Sequence, residues 1–280
     1  MPLVTTAELI APARAAGRGV AAFNVVTLEH AHGIVDGAEH AGIPVILQVS
    51  ENAVTFHGTL GPLSAALAAV ATEANVPVSL HLDHVVSAEL WEQAPDAGFS
   101  SVMVDGGALP YADNVAVTAH AAQLLRARGL TVEAELGYVG GKDSQVVSAH
   151  APGVRTDPDQ AVEFVAATGV DALAVAVGSS HAMTTQTAAL DLDLITRLRD
   201  AVPCPLVLHG SSGVPDETLR AAVRAGIVKV NIGTALNIAY SSAMRTGLAA
   251  DDAVDPRGSL RAARSAIADT VAHLLEVVST

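Results

Sequence analysis

Eight short runs rich in Val, Ile and Leu recur along the chain, at 20–26, 44–50, 77–83, 101–106, 131–137, 172–178, 205–210 and 227–233. Each is apolar almost throughout rather than alternating, which suits a parallel strand covered on both faces. Between them lie longer segments of helical period: 29–41, 59–74, 87–97, 111–128, 157–168, 191–201 and 215–225. Several open on residues suited to a helix start: Thr27 ahead of Glu29, Ser87 ahead of Glu89, Asp157 followed by Pro158, and the pair Pro215-Asp216. Strand and helix alternating along the whole chain predict an α/β fold, a single-domain (β/α)8 barrel over residues 1–280. An open doubly wound sheet is the competing layout. The Gly-rich fingerprint that would favour it is missing from the first strand-to-helix turn.

Apolar residues make up 50% of the chain and charged ones only 16%, so a compact globule is expected. With 3% aromatics, its core must be filled mostly by Val, Leu, Ile and Ala. The formal charge of −14 argues against a nucleic-acid surface. An anionic substrate would then be held by local devices: a metal, backbone N–H groups and one or two arginines. No segment has the length of an uninterrupted apolar span, so no membrane partner is expected. Glu8 stands where a signal peptide would be greasy, and a cytoplasmic location is predicted. Cys204, between Pro203 and Pro205, is the single cysteine and reads as a small buried hydrophobe.

Chemistry in such a barrel sits at the carboxyl ends of the strands. Polar residues gather there: Asn24, Ser50, His81, Asp83, His84, Asp105, Glu133, Glu135, His181, His209, Ser211, Ser212, Asn231 and Thr234. Three histidines follow three different apolar runs, His84 in VSLHLDH, His181 in ALAVAVGSSH and His209 in PLVLHG. Imidazoles at matching strand ends are good ligands for a divalent metal, and three protein ligands leave a position open for a substrate oxygen. Period two points His81 and Asp83 together into the barrel mouth. His84 would face the other way if the strand continued, but the chain is turning there toward Ser87. Asp83 reads either as a proton donor beside the metal or as an acceptor that fixes an imidazole.

Two further stretches suit an anion. GSSG at 210–213 and NIGT at 231–234 each precede a helix, near Pro215 and Ala235, at the ends of strands seven and eight. GYVGG at 137–141 lacks the Lys-Ser/Thr ending of a phosphate loop, so its glycines read as hinges. The interruption at 138–156 is the longest in the chain and reads as a mobile active-site loop.

HLDH at 81–84, VEAELG at 132–137, AVGSSH at 176–181, LHGSS at 208–212 and KVNIGT at 229–234 together resemble the class II, zinc-dependent ketose-bisphosphate aldolases. This group includes the fructose-bisphosphate and tagatose-bisphosphate aldolases. The resemblance runs from AFNV at 22–25 to DPRGSLRAA at 255–263. It implies a TIM barrel, an aldehyde-lyase of carbohydrate metabolism and glycolysis. Such an enzyme reversibly cleaves a ketose 1,6-bisphosphate into dihydroxyacetone phosphate and glyceraldehyde 3-phosphate through a zinc-stabilised enediolate. Carried over by position, His84, His181 and His209 would bind one catalytic Zn2+. Asp105 and Glu135 would hold a second or displaced ion, divalent or monovalent. Asp83 would exchange the proton of the aldehyde oxygen. Gly210, Ser211 and Ser212, with Asn231, Ile232, Gly233 and Thr234, would hold the phosphate of dihydroxyacetone phosphate. Asn24 and Ser50 would position substrate. Arg261, in SLRAA, would reach the other phosphate across the interface of a homodimer or homotetramer.

Two departures from the family stand out. GGKDS puts Asp143 where the family's loop commonly carries a glutamate as the base, and Ala182 follows His181 where a glycine is frequent. Either change points to an alternative, a dihydroxyacetone-phosphate aldolase with a different aldehyde partner; a non-catalytic aldolase-like subunit is the other. Lys229 reads as flanking strand eight, and no lysine lies on strand six to form an imine, so a metal electrophile is expected instead.

Overall fold

The computed structural model describes residues 2–137, 139, 155–250 and 254–280. Eight parallel strands close into a barrel in chain order. They are β1 (Val20–Asn24), β2 (Val45–Ser50), β3 (Val78–Val85), β4 (Ser101–Val104), β5 (Thr131–Leu136), β6 (Ala172–Val175), β7 (Leu206–Leu208) and β8 (Ile227–Ile232). Pairing of β1 with β8 leaves no sheet edge, which rules out the open-sheet alternative.

The helices are α1 (Thr6–Ala15), α2 (Leu28–Ala41), α3 (Glu51–His57), α4 (Gly61–Glu73), α5 (Ala88–Gln93), α6 (Tyr111–Ala127), α7 (Pro158–Thr168), α8 (Leu192–Ala201), α9 (Asp216–Ala225), α10 (Thr234–Ala250) and α11 (Arg257–Val278). Asp157 caps α7 through its carboxylate, which accepts from the N–H groups of Asp159 and Gln160. Thr27 and Ser87 occupy the cap positions of α2 and α5, yet neither side chain caps. The Thr27 hydroxyl pairs with His30 Nδ1 instead, at 3.0 Å. Helix α11 lies against α2 at close range. A Cβ at Gly37 would come within 2.5 Å of the Ala268 carbonyl, so only glycine permits that approach. Among the described residues no single helix is long and apolar enough to cross a membrane.

Each strand presents two different faces. Its outward residues, such as Phe23, Leu47, Leu80, Leu82, Val102, Leu173 and Val230, join the main hydrophobic cluster under the helices. Its inward residues are largely polar at mid-barrel and above: Gln48, His81, Asp83, Ser101, Glu133, Lys229 and Asn231 are all buried. A barrel of this kind is ordinarily filled by branched aliphatic layers. Here the foot of β1 and β2 is filled that way, where Leu9 and Ala13 of α1 pack on Val20, Ala22 and Ile46. Lys229 therefore does not flank β8. It lies within the strand, inside the barrel and 2% exposed, because Glu133 waits opposite to neutralise it.

Candidate metal centre and substrate cleft

A cleft of about 1000 Å³ opens at the carboxyl ends of the strands. His84, from the end of β3, enters it through an irregular backbone. The pairing of β3 with β4 shifts register between Leu82 and Val85, and His84 itself takes a left-handed φ of 50°. That conformation is uncommon for a residue with a Cβ and is typical of strained functional positions. It breaks the alternation, so His84 reaches the same cleft as Asp83, two faces of a regular strand being incompatible with that.

His84, Glu135, His181 and His209 each offer a ligand atom, and these atoms all lie within 4.8 Å of one another. The three imidazole rings are mutually close, with centroids 4.7 Å apart for His84 and His209 and 5.2 Å for His84 and His181. Three imidazoles and one carboxylate form a donor set suited to a borderline divalent cation. Asp105 stands behind the cluster rather than in it. Its carboxylate is 2.8 Å from His84 Nδ1, a contact that puts the lone pair of that imidazole on Nε2.

His209 is held on both sides. Nδ1 meets Glu135 at 2.7 Å within the cluster, and Nε2 meets Glu133 at 2.8 Å outside it. Burial alone would lower the pKa of this imidazole, but hydrogen bonds and charge from Glu133 and Glu135 push it up to about 9. Without metal it is an imidazolium, and a metal would displace the proton. Glu133 in turn accepts from Lys229 Nζ at 2.8 Å. The chain continues downward through His81 Nε2, His81 Nδ1 and the Ser101 hydroxyl to Thr6 of α1. Burial and the Lys229 charge lower His81 to about 3, so it is neutral.

Asp83 is also buried. Burial would raise its pKa, yet the neighbouring imidazoles, His84 first and then His209, and the Lys229 charge outweigh that and bring it to about 2. Asn24 Nδ2 and Asn231 Nδ2 donate to its two oxygens at 3.3 and 3.2 Å, and Gln48 steadies Asn24 at 2.8 Å. Gln48 Oε1 and Asn231 Oδ1 are buried acceptors with no partner among the described residues, and both residues line the cleft.

Across the cleft, Gly210, Ser211, Ser212, Gly233 and Thr234 form one wall. Ser212 Oγ accepts from Ala235 N at the start of α10. Gly210 has φ 67° and touches the backbone of Ser180 and His181, where a Cβ would come within 2.6 Å. Only glycine serves there. Ser50 lines the cleft and caps α3.

Two expected residues do not join the described wall. Ile232 faces outward into the main hydrophobic cluster, so only its backbone is available. Arg261 is exposed on α11 and is absent from the described lining. Asp143 lies outside the described residues. Conversely, Gln48, Glu133 and Lys229 were not assigned a role from the sequence. Gln48 had a usable signal, since it precedes Ser50 by two residues and shares its face.

The chain matches the family model described as fructose-bisphosphate aldolase class-II over residues 4–280. This chain belongs to the class II fructose-bisphosphate aldolases. Its fold is similar to the YdjI aldolase of Escherichia coli K12, with a TM-score of 0.84 and 33% identity over 99% of this chain and 97% of that one. A putative fructose-1,6-biphosphate aldolase from Coccidioides immitis gives 0.87 and 29% identity, over 98% and 95%. The fructose-bisphosphate aldolase of Campylobacter jejuni shares the fold at 0.83, with 21% identity over 99% and 95%. The aldolase is thus an enzyme, a lyase, and the non-catalytic alternative falls away.

Two expected results follow from the geometry of this aldolase. Lys229 and Glu133 form a buried pair, each nearly inaccessible. Lys229→Ala would leave Glu133 without its cation and is expected to cost about 3–5 kcal/mol, read from urea unfolding. Ala182 has φ 59° where glycine is at ease. Ala182→Gly removes roughly 1–2 kcal/mol of left-handed strain but frees the unfolded chain, for a net gain of about 0.5–1 kcal/mol in the same measurement.

Proposed function

We propose that this aldolase reversibly cleaves a ketose 1,6-bisphosphate, fructose or tagatose 1,6-bisphosphate, to dihydroxyacetone phosphate and glyceraldehyde 3-phosphate. The observation that supports this best is the convergence, in one cleft, of a four-residue donor set, a buried carboxylate and a wall of glycine and serine. His84, His181, His209 and Glu135 would hold the metal, and zinc suits them. When bound, zinc supplies the positive charge that stabilises negative charge developing on the ketose oxygens.

The remaining work falls to the chain itself. Asp83, held as carboxylate, takes the proton of the ketose hydroxyl during cleavage and returns one to the aldehyde oxygen in condensation. Asn24 and Asn231 fix its orientation. The acceptors Gln48 Oε1 and Asn231 Oδ1 suit substrate hydroxyls. Backbone and hydroxyl groups of Gly210 to Ser212 and of Asn231 to Thr234, at the start of α10, suit the phosphate. Asp143 is the proposed base at carbon. Arg261 is the proposed contact to the second phosphate, given across the interface of a homodimer or homotetramer. A cytoplasmic, glycolytic role completes this reading.

A second reading keeps the donor and changes the aldehyde. No lysine or arginine is among the described residues lining the cleft, which favours an aldehyde without phosphate. Release of dihydroxyacetone phosphate from the two bisphosphates and from fructose 1-phosphate, with and without a strong chelator, tests both. Chelator-sensitive release from a bisphosphate is the expected result. Release from fructose 1-phosphate alone would replace the first reading by the second, and no release from any sugar by zinc-loaded protein would overturn both.

A further inference from the structure

A second cavity, of about 570 Å³, opens at the other end of the barrel, beside α1 and beneath the polar chain that descends from His209. It shares no lining residue with the upper cleft. Its walls are apolar, with Ile10 and Ala11 on α1, Ala172 on β6, and Pro205 and Val207 at β7. Its inner end is polar, formed by His81, Glu133 and Lys229, none more than 3% exposed. The volume falls within the roughly 300–1,000 Å³ typical of small-molecule sites, which combine apolar walls with a few placed polar groups.

The chemistry of the inner end defines the occupant. An ammonium carries three protons. Lys229 gives one to Glu133 at 2.8 Å and faces His81 Nε2 at 3.3 Å. Its third proton has no acceptor among the described residues, and a buried donor is unfavourable until it finds one. Charge at this end is already balanced, because Lys229 and Glu133 neutralise each other. A charged ligand would upset that balance beside groups that are almost fully buried. At the mouth, Arg14 donates to the Pro203 carbonyl and Asp171 is paired with Arg126.

We propose that this cavity binds a small, uncharged, largely apolar molecule with one hydrogen-bond acceptor, a ketone or an alcohol, whose oxygen accepts from Lys229. The molecule would lie three hydrogen bonds from a residue of the metal cluster, through Lys229 and Glu133 to His209. The site is independent of the reaction assigned to the upper cleft.

The test uses cyclohexanone and its isostere methylenecyclohexane, which lacks the acceptor, titrated into zinc-loaded protein by calorimetry and ligand-observed NMR. Cyclohexanone is expected to bind saturably near millimolar affinity, and methylenecyclohexane at least tenfold more weakly. Ala11→Trp, at an exposed position on the cavity wall, is expected to weaken cyclohexanone binding at least tenfold. Ala7→Phe, one turn earlier and also lining the cavity, repeats the test if the first variant does not fold. Absence of saturable binding would overturn the proposal. So would equal binding of the two probes, or binding undiminished in the folded variant.

Discussion

His181→Ala is expected to strip the metal from the purified protein and lower kcat/KM at least about a thousandfold. A metal acting as electrophile contributes several kcal/mol at the transition state, and each 1.36 kcal/mol is about tenfold in rate. Among the proposed ligands, His181 is the informative one to remove. His209 is pinned by Glu133 and Glu135, so its loss would also leave two buried carboxylates without a cation between them. Loss of His181 leaves the Lys229–Glu133–His209 contacts intact. Metal content by elemental analysis and unfolding by urea separate the two effects: the metal should go, and the fold should stay. A variant that keeps both its metal and its rate would sink the assignment of the cluster.

The second large effect belongs to Asp83. Asp83→Asn keeps the shape of the side chain but removes the proton-accepting charge and leaves one oxygen instead of two to accept from Asn24 and Asn231. A general base or acid contributes typically about 10²–10⁴ in rate, and a loss of that size in kcat is expected with metal content unchanged. A finer readout distinguishes the role from mere packing. Asp83 is assigned to the aldehyde oxygen, so exchange of the carbon-bound proton of dihydroxyacetone phosphate with solvent should continue in the variant. Loss of exchange together with cleavage would place Asp83 at the carbon instead.

Much of this molecule is legible in its residue order. Strands were readable because their outward residues are uniformly apolar, mostly Val, Leu, Ile or Phe with an occasional Ala, and because polar residues appear at the same end of nearly every run. Missed helices had local reasons. Helix α1 carries Pro12 in its interior, and α3 is only seven residues long and begins directly at Ser50, the last residue of β2. Lys229 was misplaced for a different reason. A charge in an apolar run reads as an edge, and only a partner 96 residues away makes it an interior residue. The position of His84 was undecidable by alternation, since it depends on a register shift against β4 that no single strand encodes.

The balanced interior also bears on how this sequence can drift. Glu133 neutralises Lys229 and steadies His209 at once, so neither Glu133 nor Lys229 can be exchanged alone without stranding a charge in the middle of the barrel. Neutral variation at these two positions is therefore closed to single steps. Across descendants of this chain the two residues should be kept together or replaced together, while the aliphatic outer faces of the same strands exchange Val, Ile and Leu freely.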